Sequence, residues 1–106
     1  MLIFVCCAIC TEEDEPYGSA VTWENQQKAF DFTKNVLEMG AAPLTPQLYL
    51  PNYSDKAMLE DNGLKEAVLQ MIKNCDEVWV FGTTLTGAMR QQLQYAIDNG
   101  IPLKFT

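Results

Sequence analysis

Histidine is absent from this 106-residue chain, and cations are scarce: seven Lys and Arg stand against fourteen Asp and Glu, a formal net charge of −7. Without imidazole to accompany the thiols, and with the clustered carboxylates confined to one loop, no metal site is expected. The shortage of Lys and Arg argues against general binding to DNA or RNA, where affinity comes largely from neutralised phosphates. A single small nucleotide stays possible, because backbone amides at a helix start hold a phosphate without net positive charge. Long apolar runs are missing too. The opening MLIFVCCAIC is too short to span a bilayer, has no basic start, and runs directly into TEEDE. It reads as a buried first strand, and the chain as a cytoplasmic protein with no membrane partner.

Cysteine is present but sparse. Cys6, Cys7 and Cys10 lie in or at the end of that apolar run and Cys75 follows a helical stretch. All four read as buried free thiols of a reducing compartment. The chain is long enough for one core without disulfides, so residues 1–106 are expected to form a single domain.

Leu2 to Ile9 is continuously apolar, as in a parallel strand covered on both faces. Thr11 to Ser19 is an acidic loop, its Glu12, Glu13, Asp14 and Glu15 a solvated run. From Trp23 to Met39, Ala29, Phe30, Thr33, Val36 and Leu37 predict the buried face of a helix capped by Thr22 and ended by Gly40. A second strand, Ala42 to Thr45, precedes TPQLYLPNYSD, where prolines 43, 46 and 51 forbid a long regular element and suggest a lip over a site or a subunit contact. Leu64, Ala67, Val68, Met71, Ile72 and Cys75 mark the clearest helix. Val78 to Phe81 is a strand, Met89, Leu93, Ala96 and Ile97 a last helix, and Ile101 to Phe105 a closing strand.

The alternation predicts an α/β three-layer sandwich, flavodoxin- or Rossmann-like, with a mostly parallel sheet of four to five strands. Ligands of such sheets bind beyond the carboxyl ends of the strands, where strand order reverses. Candidate linings are Cys7 to Thr11, Thr45 to Leu48 and Gly82 to Met89. In FGTTLTGAM, Gly82, Thr83, Thr84, Thr86, Gly87 and Ala88 offer hydroxyls and amides at a helix start, either to an anion or simply as caps. Cys7, Ala8, Gln47 and Leu48 would line the base side of a nucleotide, and Met89 would give a polarizable wall. By pattern alone Gln92 is an exposed helix former.

PLTPQLYLP, CDEVWVFG, TGAMRQQLQYA and NGIPLKF together resemble the small proteins related to nucleoside 2-deoxyribosyltransferases, over residues 23–106. The resemblance implies a nucleoside or nucleotide ligand, cleavage of an N-glycosidic bond, no cofactor, and a pocket completed by a neighbouring subunit of a homodimer or larger assembly. It also places Gln92 at the position of the nucleophilic glutamate. An amide carries no charge there and is neither nucleophile nor general base at neutral pH. A binding module without turnover and an active enzyme carrying a Glu-to-Gln substitution both fit. Ala8, Ile9, Cys10 and Thr11 depart from the family's aromatic and arginine after the first strand, and no spacing supports Tyr17 as a replacement. Other carboxylates for an active enzyme are Glu12, Asp14 and Asp98, all weakly placed. A third class is a protein-interaction module using Trp23, Tyr49 and Tyr53.

Overall fold

The computed structural model describes residues 1–8, 20–50, 53–83 and 85–106, the side chains of 20–23 excepted. Its order is β1 (Leu2–Cys6), α1 (Ala20–Glu38), β2 (Ala42–Leu44), a 3-10 turn (Pro46–Leu48), α2 (Asp55–Glu60), α3 (Asn62–Lys73), β3 (Glu77–Val80), α4 (Gly87–Asp98) and β4 (Leu103–Phe105). The four strands form one all-parallel sheet, β2-β1-β3-β4, so the α/β three-layer expectation holds. Ile3 pairs with Pro43 on one side of β1 and with Glu77 on the other.

Strand side chains alternate between faces. Phe4, Cys6, Val78 and Val80 meet Met58 of α2, Val68 and Ile72 of α3, and Ala88, Met89, Leu93 and Ala96 of α4. Ile3, Val5, Cys7, Trp79 and Phe81 meet Ala29 and Val36 of α1, with Phe32 packed beside them. Among the described residues α1 is the one helix on that second face. There, the Lys104 ammonium lies 4.3 Å from the Trp79 ring centroid, and the indole N–H donates to Glu77 Oε1 at 2.8 Å. The lysine stem and the cation–π contact cover indole that no second helix reaches.

Several boundaries differ from expectation. α1 begins at Ala20, so Thr22 lies inside it rather than capping it. Phe30 and Leu37 are 61% and 59% exposed, because the buried arc is Ala29, Phe32, Thr33 and Val36. β1 ends at Cys6, and Ile9 together with the acidic loop lies outside the described residues. α2 was not foreseen; Ser54 caps it by accepting from Ala57 N–H at 3.0 Å. Ala67 of α3 is exposed. Gly40 and Gly100 end their helices at φ +83° and +69°, the left-handed geometry that glycine adopts without strain.

Phe4, fully buried on the central strand, and Phe30 give opposite expectations for the same truncation. Phe4→Ala is expected to cost about 3–5 kcal/mol, and Phe30→Ala to stay within about 0.5 kcal/mol. Urea midpoints of the two variants against the parent chain measure both.

Candidate functional site

β1 leads to β2 on one side, and the chain later returns to β3 on the other, so strand order reverses between β1 and β3. Their carboxyl ends are tied by the Cys6–Val80 pairing and by Phe81 N–H donating to Cys6 O at 2.9 Å. Just beyond lies a cleft of about 300 Å³ lined by Ala8, Asn25, Lys28, Phe32, Phe81, Gly82 and Thr83. It is thus at the position where open α/β sheets bind ligands, at the small end of the usual range of about 300–1,000 Å³. Gly82, at φ +94°, turns the chain out of β3 to form one side. Phe32 of α1 stacks on Phe81, with centroids 4.7 Å apart and planes 18° off parallel. Lys28 is the one charged side chain of this lining, and its exposed pair with Glu24 at 3.9 Å holds it weakly.

The structure brings three of the expected residues, Ala8, Gly82 and Thr83, into this cleft. Asn25, Lys28, Phe32 and Phe81 were not foreseen. Their signal was available: Asn25, Lys28 and Phe32 share a stripe of α1, but Lys28 reads by itself as a solvated charge.

The remaining candidates lie elsewhere. Thr86 is buried and caps α4, its Oγ1 accepting from Met89 N–H at 3.3 Å. Gly87 is half-buried, and Ala88 and Met89 pack in the core. Gln47 is buried; its Oε1 accepts from the Cys7 thiol at 3.2 Å and its Nε2 donates to Gln26 Oε1 at 3.0 Å. Leu48 is exposed, and Thr84 lies outside the described residues, as do Glu12, Asp14, Tyr17 and the Trp23 side chain. Asp98 is exposed and accepts from Gln94 Nε2 at 2.9 Å.

Gln92 is not the exposed residue that its pattern suggests: it is 2% exposed. Its Oε1 accepts from the Cys6 thiol at 3.3 Å and its Nε2 donates to the Tyr53 hydroxyl at 3.0 Å. Ala8 both lines the cleft and packs against the cluster that contains Cys6 and Tyr53, so it stands between the two. Tyr53 and Cys6 can each donate a proton, which makes the pocket around residue 92 chemically suited to a carboxylate of the same shape. Tyr53 is buried, and desolvation raises its pKa well above the ordinary value despite the Gln92 hydrogen bond that lowers it.

The helix start that was expected to offer amides to a phosphate is occupied. Asp55, 1% exposed, accepts from Ala88 N–H through Oδ1 at 3.3 Å. Among the described residues, its other oxygen, Oδ2, is buried without a hydrogen-bond partner.

A family described as "Domain of unknown function (DUF7768)" matches residues 5–106. The chain belongs to the DUF7768 family. Neither curated proteins nor solved structures give a match. Among the described residues no group of three His, Cys, Asp or Glu is placed to hold a metal, and no helix is long and apolar enough to cross a membrane.

The buried cysteines set a chemical expectation. Cys6, Cys7 and Cys75 are free thiols. Cys7 and Cys10 form a C-x-x-C spacing, and Cys10 lies outside the described residues. Burial pushes the Cys7 thiol up to about 12, and burial followed by the charge of Asp76 pushes Cys75 up to about 11, from an ordinary 9.0. The unfolded chain therefore releases these protons first. Their contribution to stability is complete below pH 9.0 and is lost as pH climbs toward 11 and 12. Each thiol in that window removes up to about 1.4 kcal/mol per pH unit. Urea midpoints in reductant should fall between pH 9 and 10.5 more steeply for the parent than for Cys7→Ala; equal slopes would refute the assignment.

Proposed function

We propose that this protein binds a nucleoside or nucleotide at the carboxyl edge of its sheet and does not turn it over. The observation that carries this reading is the cleft between α1 and the β1 and β3 carboxyl ends, at the point where strand order reverses. Its chemistry suits such a ligand: the aromatic wall of Phe32 and Phe81 suits a planar base. The Lys28 ammonium and the Thr83 hydroxyl suit polar or anionic parts. An N-glycosidic-bond-cleaving ancestry is supported by residue 92, whose neighbours Cys6 and Tyr53 would both serve a carboxylate as donors. The amide now there removes the nucleophile, a loss on the order of 10⁴–10⁶ in rate in enzymes that act covalently. The apolar surface exposed at Leu48 and Tyr49 supports a homodimer or larger assembly around the same edge.

Deoxynucleosides, nucleotides, NAD and cyclic nucleotides, tested by thermal shift and by chromatography of released base, decide between binding and turnover. Binding without release is expected. Phe32→Ala should reduce the affinity at least about tenfold by removing the stacking wall, and Gln92→Glu is the variant in which free base is expected to appear. Release by the unaltered chain would contradict the non-catalytic reading.

A further inference from the structure

Two places at the carboxyl edge suit an anion, and they differ in access. One is the start of α4, where the first amides lack intrahelical partners. There Ala88 N–H is held by Asp55 Oδ1 and Met89 N–H by Thr86 Oγ1, and both of those side chains are buried. These amides face protein, and an anion beside them would meet the Asp55 carboxylate, a like charge.

The other place is the cleft on the α1 side. Lys28 lines it together with Thr83, which is exposed, and no carboxylate among the described residues shares that lining, although the chain carries a formal net charge of −7. Glu24, the ion-pair partner of Lys28, stands outside the lining at 3.9 Å, and the two side chains are 66% and 57% exposed. Such a pair is weak. A phosphate monoester brings about −1.5 to −2 charge at pH 7 and three acceptor oxygens, and so competes well for the ammonium.

The backbone that carries Lys28 is clasped to the segment after β2 on both sides of it. Gln26 donates through Nε2 to Gln47 O and accepts through Oε1 from Gln47 Nε2, each at 3.0 Å. The hydroxyls of Thr33 and Thr45 share a hydrogen bond of 2.6 Å. Gln47 and Thr45 are buried, so α1 is fixed where it crosses the edge. Phe32, which stacks on Phe81, lies within the same clasped stretch and one turn beyond Lys28, roughly 6 Å along the helix axis. Ring wall and ammonium are thereby held at a separation that suits a single base and the phosphate of the same nucleotide unit.

Resting on the nucleoside-or-nucleotide reading above, we infer that Lys28 is the phosphate-holding residue of this cleft, which therefore selects a nucleoside monophosphate over the neutral nucleoside. The phosphate lies on the α1 side of the edge, not at the α4 start. Lys28 is thus a specificity-determining residue, and Gln26 and Gln47 position the helix that carries it.

Calorimetric titration of each nucleoside and its 5′-monophosphate, on the unaltered protein and on Lys28→Met, tests this. Methionine keeps an apolar stem and removes the charge. The monophosphate is expected to bind the parent at least about fivefold more tightly than its nucleoside, a difference of about 1 kcal/mol. Lys28→Met should abolish that advantage and leave the affinity for the neutral nucleoside unchanged. A monophosphate advantage that survives in Lys28→Met, or a nucleoside that binds the parent as tightly as its monophosphate, would overturn the inference. Glu24→Gln releases Lys28 from its pair and should raise monophosphate affinity; an equal or lower affinity counts against Lys28 as the partner of the phosphate. Phenyl phosphate, followed by NMR titration, gives an arm without any nucleoside. It should bind the parent and weaken at least about fivefold in Lys28→Met; equal binding to both proteins, or binding to neither, would sink the inference. Should phenyl phosphate binding depend on Lys28 while no nucleoside or nucleotide binds, the proposed function falls and the anion subsite stands.

Discussion

β1 is hydrogen-bonded to a strand on each side, and the rest of the structure is arranged around that fact. Because β2 and β3 take opposite edges of the same strand, the chain must leave β1 in one direction and return in the other. The first crossover puts α1 on one face; the next two put α2, α3 and α4 on the other. Both faces of β1 are thereby covered, which is why Ile3 and Phe4, pointing opposite ways, are both completely buried. β1 is followed by α1 on one face and β3 by α4 on the other, and the cleft lies beside the carboxyl ends of the two strands.

That arrangement also separates two kinds of polar group at the same edge. On the α1 side, Lys28, Asn25 and Thr83 line an open cleft beside stacked phenylalanines. On the α4 side, Cys6, Gln92 and Tyr53 form a buried chain of hydrogen bonds, and Asp55 caps the neighbouring helix. Ala8 belongs to both. Buried polar groups of this kind are costly unless paired, so their pairing restricts the packing of α2 and α4 against β1.

Much of the fold was legible in local sequence. The unbroken apolar runs at β1 and β3, the stripe of α3, and glycines 40 and 100 mark elements through period and turn chemistry, which act over a few residues. α2 was hidden because six residues between Pro51 and Asp61 carry too little periodicity to register, and its cap Ser54 sits in a stretch rich in turn residues. Phe30 and Leu37 fit a helical spacing with Val36, yet the sheet accepts a narrower arc centred on Ala29, Thr33 and Val36. Ala8, Gly82 and Thr83 line the cleft at the strand ends, as strand positions lead one to expect; the places of Lys28 and Phe32 depend on how α1 lies across that edge.

The sequence by itself determined the class of architecture and the direction of its strands, since each follows from short-range periodicity and the handedness of crossovers. Tertiary structure alone decided the state of individual polar side chains. Gln92 is buried because Cys6, 86 positions away, and Tyr53, 39 positions away, close on it. Asp55 fills the α4 start across 33 positions. Such pairings depend on how helices dock on a sheet, a long-range outcome of packing that no local pattern encodes.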